Sequence, residues 1–101
     1  MKVAISAEGT DENSKVCEVS GRSPHYIIFD KGKKIKVLNN PFRFGGGGAG
    51  FSLAAMLEDE KIDVVISGRF GPNMITALES KGIKHKEMHN ITVKEALKKI
   101  R

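Results

Sequence analysis

Five glycines fall within the six residues 45–50, in the stretch Phe42-Arg43-Phe44-Gly45-Gly46-Gly47-Gly48-Ala49-Gly50-Phe51, which opens into an apolar segment with helical spacing. No hydrophobic core asks for such a run. Glycine loses the most backbone freedom on folding and buries no side chain, so the run is either a flexible tether or a backbone that bends sharply and lets something come close. Its position decides against the tether. It lies mid-chain between a strand pattern and a helix pattern, with too little sequence on either side for two independent domains.

At 101 residues the chain is expected to form one domain, residues 1–101, around a single core. Neither a signal peptide nor an apolar run long enough to span a bilayer is recognisable, which points to a cytoplasmic protein without a membrane role. The single cysteine, Cys17, has no internal disulfide partner and leaves one thiol for redox or metal chemistry, or simply a small buried hydrophobe. A formal charge of +5 favours an anionic partner. Its lysines gather at 31, 33, 34 and 36 and again, with Arg101, on the last helix, as solvated faces or edge protection usually do. Nucleic acid is therefore disfavoured.

In chain order, residues 2–7 read as a strand and 8–15 as a polar loop. Residues 26–30 form a nearly continuous apolar strand. The turn Lys31-Gly32-Lys33 folds it back on residues 34–38 as a hairpin, with Ile35 and Val37 on one face and Lys34 and Lys36 on the wet one. A helix is expected over 51–60 and a strand, apolar on both faces, over 63–67. A second helix starts at Pro72 and is capped by Gly82, and an edge-like strand covers 83–88. A third helix begins with the Thr92/Glu95 capping box. The order β-β-β-α-β-α-β-α, with hairpins antiparallel and crossovers parallel, makes strands one, three, four and five co-directional. Four loops then share one end of the sheet: residues 7–24, 39–50, 67–71 and 88–91. Open α/β sheets bind ligands at that carboxyl end.

Cys17, Arg22, His25, Arg43, Arg69 and His89 gather on this rim, with the glycine backbones of 46–50 and 68–71 and two helix N-termini. Amides, helix starts and guanidinium groups attract anions, while thiolate and imidazole suit iron, copper and zinc. Singly, each has a plainer reading. His25 and His89 can be turn residues, Cys17 core filler, and Arg22 the partner of a carboxylate; His85, among lysines on the edge strand, reads as solvated. Catalytic patterns fail on spacing. The glycine loop lacks a Gly-Lys-Ser/Thr ending and the acidic residue of a dinucleotide fingerprint, and no paired-cysteine, His-Glu-x-x-His or Gly-x-Ser-x-Gly motif occurs. Glu18 with His25 or His89 could make an acid–base pair, but nothing selects it.

The series Gly21-Arg22-Ser23-Pro24, Asn40-Pro41, Gly46-Gly47-Gly48-Ala49-Gly50-Phe51, Asp63-Val64-Val65-Ile66-Ser67-Gly68 and Phe70-Gly71-Pro72-Asn73 resembles the dinitrogenase iron-molybdenum cofactor biosynthesis domain family over essentially the whole chain. The resemblance implies an α/β, ribonuclease-H-like fold: a five-stranded mixed sheet, order 3-2-1-4-5 with strand two antiparallel, and three helices. Nitrogenase-associated members bind the iron-molybdenum cofactor or its iron-sulfur precursors and pass them between assembly proteins, and one type binds a molybdenum-copper-sulfur cluster. Many members have His-Phe-Gly-Arg where this chain has Val19-Ser20-Gly21-Arg22, so that histidine is missing here.

The expectation is thus a non-enzymatic carrier or scaffold for an iron-sulfur or molybdenum-containing cluster, or an oxyanion. Arg22, Arg43 and Arg69 would supply charge, Gly46, Gly47, Gly48, Gly50, Gly68 and Gly71 backbone donors, and Cys17, His25 or His89 metal ligands. The alternative is a metal-free module that docks a cluster-assembly partner protein through the same rim. The glycine loop is expected to be mobile without ligand, since few side chains pin it.

Overall fold

The computed structural model describes residues 1–45 and 48–100; Gly46 and Gly47, on which the expectations of backbone donors and loop mobility fall, lie outside the described residues. The strands are β1 (Lys2–Ala7), β2 (His25–Asp30), β3 (Lys33–Asn39), β4 (Val64–Ser67) and β5 (Lys84–Glu87). The helices are α1 (Ala49–Asp59), α2 (Pro72–Ser80) and α3 (Val93–Lys99), and a single 3-10 turn covers Ser20–Arg22. They form one mixed sheet of order β3-β2-β1-β4-β5. β2 is antiparallel to both its neighbours, while β1, β4 and β5 are parallel. This is the α/β topology expected from the sequence.

Local chemistry sets the joints. Asp30 pairs with Lys33 across a two-residue turn in which Lys31 (φ 53) and Gly32 (φ 79) both take positive φ, as a tight hairpin matched to strand twist demands. The alternation expected for β3 does not hold. Ile28 pairs with Lys36 but Phe29 with Lys34, so Ile35 is an extra, bulged residue that remains 49% exposed. The bulge shifts the faces: Lys36 reaches Glu60 at the end of α1, with Nζ 3.0 Å from Oε1, while Val37 packs on one core cluster and Leu38 on the other. Helix ends follow their caps. Gly82 (φ 72) sits just past α2, with its own N–H on the Glu79 carbonyl and the N–H of Ile83 on that of Leu78. The same pair of bonds closes α1, but there the left-handed position is Lys61 (φ 60). Thr92 and Glu95 form the expected reciprocal box at the start of α3.

The crossovers β3-α1-β4 and β4-α2-β5 step in the same direction along the sheet, so right-handedness puts α1 and α2 on one face. Ala4, Tyr26, Ile28 and Val65 meet Leu53, Leu57, Met74 and Leu78 there. The other face, with Val3, Ile5, Phe29 and Ile66, is left for Val93, Ala96 and Leu97 of α3. The result is three layers, and β4, covered on both sides, is buried throughout. Among the described residues no helix is long and apolar enough to cross a membrane.

Candidate functional site

From β1 the chain turns toward β2, and on the far side of β1 lies β4, so the β1/β4 junction is where the strand order reverses. Loops diverge at such a junction and leave a crevice at the carboxyl ends of the strands. Here residues 15–22 cross it. Gly68 N–H donates to the Cys17 carbonyl (2.8 Å), Arg69 N–H to Glu18 (2.6 Å) and Ser20 N–H to Arg69 (2.9 Å). A Cβ on Gly68 would collide with the Glu18 carbonyl, so only glycine lets the two loops meet. This corrects the role expected of Gly68. Its amide is already bonded within the fold and is not a donor for a ligand.

Beside this junction opens a cavity of about 220 Å³. Its wall combines three pieces of chain: Val19 to Arg22; Arg43, Gly45, Ala49 and Gly50; and Gly71 to Met74. That volume lies below the roughly 300–1,000 Å³ of pockets for drug-sized ligands, and so suits a compact guest. α1 and α2 both start at it. Their N-caps, Gly48 and Gly71, supply no side-chain cap, in contrast to α3, which starts away from the cavity and caps itself. Helix starts carry partial positive charge and turn amides outward.

Arg22 and Arg43 add full charges. None of the rim arginines, Arg69 included, makes an ion pair among the described residues, so the plain reading of Arg22 as the partner of a carboxylate fails. Arg43 lies with its guanidinium carbon 4.7 Å from the centre of the Phe44 ring, and its Nε is buried without a hydrogen-bond partner. The glycines divide into two kinds. A Cβ on Gly50 would come 2.9 Å from the Met74 nitrogen, so Gly50 is there to let α1 and α2 cross closely. At Gly21, Gly48 and Gly71 a Cβ would meet nothing within 4 Å, and none of them takes positive φ. The fold does not require glycine at those three places; Gly21 and Gly71 line the cavity.

The expected metal ligands lie elsewhere. Cys17, His25, His89 and the side chain of Arg69 are outside the cavity lining, which contains no Cys, His, Asp or Glu among its described residues. Among the described residues no group of three or more such side chains is arranged to hold a metal ion. His25 Nδ1 is 3.0 Å from Asn39 Oδ1 at the open end of the hairpin, away from its turn. His89 is clasped between two carboxylates, with Nδ1 3.1 Å from Glu18 Oε2 and Nε2 3.0 Å from Glu87 Oε1. A carboxylate only accepts, so both contacts are hydrogen bonds when both ring nitrogens carry protons, and the contacts with Glu87 and then Glu18 raise the His89 pKa. His85 is not simply solvated: it is half-buried, stacks at a tilt on Phe70 with ring centres 5.3 Å apart, and has Nε2 3.8 Å from Glu79.

Two features were given no site role by the sequence, although Asn40-Pro41 belongs to the series that carries the family resemblance. The cavity floor is a buried chain: Tyr26 OH donates to the Ser20 carbonyl (2.6 Å), and Ser20 Oγ to Met74 Sδ (3.2 Å). Burial, helped by the nearby Cys17, drives the Tyr26 pKa far above its usual value against the pull of that hydrogen bond, so the phenol stays a neutral donor. The second feature is Asn40. It is 4% exposed, and it bonds to both the Arg22 turn and the segment leading to Arg43.

The family model described as dinitrogenase iron-molybdenum cofactor matches residues 1–101, and the chain belongs to that family. Among solved structures, the apo form of the orange protein from Desulfovibrio gigas superposes with a TM-score of 0.91 at 25% identity, covering 98% of this chain and 85% of that one. A candidate NifB protein from Thermotoga gives 0.85 at 27% identity, again covering 98% and 85%. A candidate dinitrogenase from Methanocaldococcus jannaschii, at 16% identity and a TM-score of 0.57 over 98% of this chain and 89% of that one, shares the fold. No curated protein matches the sequence.

Proposed function

We propose, from this family membership, that residues 1–101 form a single non-enzymatic carrier domain, working in the cytoplasm, whose cargo is an anionic metal-sulfur cluster such as an iron-molybdenum cofactor precursor. One observation carries the reading. The cavity is walled by Arg22, Arg43 and two helix starts without side-chain caps, and its described lining contains no acid. Such a wall stabilises negative charge on a compact guest and offers nothing to a bare cation. Val19 stands where many family members carry a histidine, so here the cargo is held by charge and N–H donors around its outer sulfur or oxygen atoms. Cys17, His25 and His89 then serve the rim without ligating.

Anaerobic titration with tetrathiomolybdate, a tetrahedral dianion, tests this. Binding is expected at one per chain, unchanged in Cys17→Ser. Loss of a charge-assisted contact of about 1.5–3 kcal/mol predicts roughly ten- to hundredfold weaker binding in Arg43→Ala. Absence of binding by the unaltered protein, or its loss in Cys17→Ser, overturns the reading.

Phe44 (86% exposed) and Phe51 (49%) favour a second use of the same rim, docking of a cluster-assembly partner. A metal-free docking module would capture its partner equally with and without tetrathiomolybdate and lose it in Arg69→Glu.

A further inference from the structure

The two cavity arginines sit on loops far apart in sequence, and neither is held by a carboxylate among the described residues. Arg22 lies in the Ser20–Arg22 turn after β1, and Arg43 follows β3. Their spacing across the cavity must be set by something other than ion pairing. The buried amide of Asn40 joins the two segments. Its Nδ2 donates to the carbonyls of Gly21 (3.1 Å) and Ser23 (2.9 Å), which flank Arg22 on either side. Its Oδ1 accepts from the N–H of Phe42 (2.9 Å), the residue before Arg43. Its own N–H donates to the Pro24 carbonyl (3.0 Å), anchoring the strut to the end of the same turn.

We infer that Asn40 is a positioning residue that fixes the gap between Arg22 and Arg43 and so sets the size of anion the site accepts. The inference rests on the carrier reading above. The side chain has two donors and one acceptor group, and each is used toward the segment that requires that polarity. Glutamine has the same carboxamide but one more methylene, which displaces it from these partners, and serine and aspartate lack the combination. Serine is too short to span both segments. Aspartate keeps the acceptor for Phe42 but turns its second oxygen toward the carbonyls of Gly21 and Ser23, where two acceptors repel and a charge is buried. Asn39, one residue earlier, is spent on His25 and does not reach the turn through any bond of this kind.

The test is a double-mutant cycle with tetrathiomolybdate on the full chain, read beside the amide spectrum of the cargo-free protein. Asn40→Ser is expected to weaken binding about tenfold in the unaltered background and less than about twofold when Arg22 is already alanine, because a strut between two charges matters only while both are present. Asn40→Asp is expected to weaken binding likewise, and its amide shifts in the cargo-free protein are expected to recover as acidification protonates the buried carboxyl and restores one donor toward the turn. In the cargo-free protein the amides of Gly21, Arg22, Phe42 and Arg43 should shift together, with those of α3 unmoved. Equal losses in both backgrounds, or shifts confined to one of the two segments, overturn the inference. If the unaltered protein binds no tetrathiomolybdate, the carrier reading fails instead, and the amide shifts alone decide whether Asn40 couples the two segments.

Discussion

At the scale of single residues, polar side chains on the rim are engaged with the protein in ways their types did not announce. His89 is the clearest case. Clasped between Glu18 and Glu87, it ties the loop that carries Val19 and Arg22 to the exit of β5 when its ring is protonated. Its pKa is raised above the ordinary 6.5, first by Glu87 and then by Glu18. A raised folded-state value means the stabilisation is fully present below the unfolded pKa and is lost as pH climbs through the higher one. Melting temperatures of the unaltered protein should therefore exceed those of His89→Gln most at about pH 5.5, with the gap closing toward about pH 9. A gap that ignores pH would sink the clasp. Pro72, Gly82 and the Thr92/Glu95 pair were legible in the sequence because a cap is satisfied within a few residues of itself. Asn40 and Gly68 were not, because their partners are some twenty and fifty residues away and only the folded loops bring them together.

At the scale of elements, every strand and helix was legible from periodicity and turn chemistry, with bounds shifted by one or two residues. The miss was the bulge at Ile35, since a two-residue alternation cannot show where one strand of a pair carries an extra residue. The glycine run, read as a source of backbone donors, turns out to contain a packing residue as well. Gly50 sits at the second position of α1 against the start of α2. Two effects of Gly50→Ala oppose each other. Helix propensity alone favours alanine by about 0.5–1 kcal/mol. Overpacking a Cβ that would lie 2.9 Å from the Met74 nitrogen and 3.2 Å from its Cβ costs about 1–3 kcal/mol, because backbone must yield as well as side chain. The steric term should win. Urea unfolding is expected to show a lower midpoint for Gly50→Ala, with weaker tetrathiomolybdate binding as the helix starts separate. A raised midpoint would mean that the crossing has slack.

At the scale of the whole molecule, the sequence made the sheet and its loaded end legible, since hairpins and right-handed crossovers leave few topologies. Which rim residues wall the cavity was not legible. Long loops decide it, and they leave Cys17, His25 and His89 outside while bringing Arg22 and Arg43 to one space. That space draws on pieces of chain from before β2, after β3 and after β4, so a bound anion would cross-link segments that must separate on unfolding. Linkage then sets the size of the effect. At free tetrathiomolybdate about 100 times its dissociation constant, the folded state gains about 2.7 kcal/mol. For a domain of this length that is a rise in melting temperature on the order of 10–20 °C. The place of protection separates site binding from loose attraction to a basic surface. Cargo in the cavity should slow amide exchange most at residues 19–22, 43–45, 71, 73 and 74, beyond the uniform slowing that global stabilisation gives the amides of α3. Tetrathiomolybdate gathered by Lys94, Lys98 and Lys99 would instead protect α3, and its effect would vanish near 1 M salt, where charges on the surface are screened within about 3 Å.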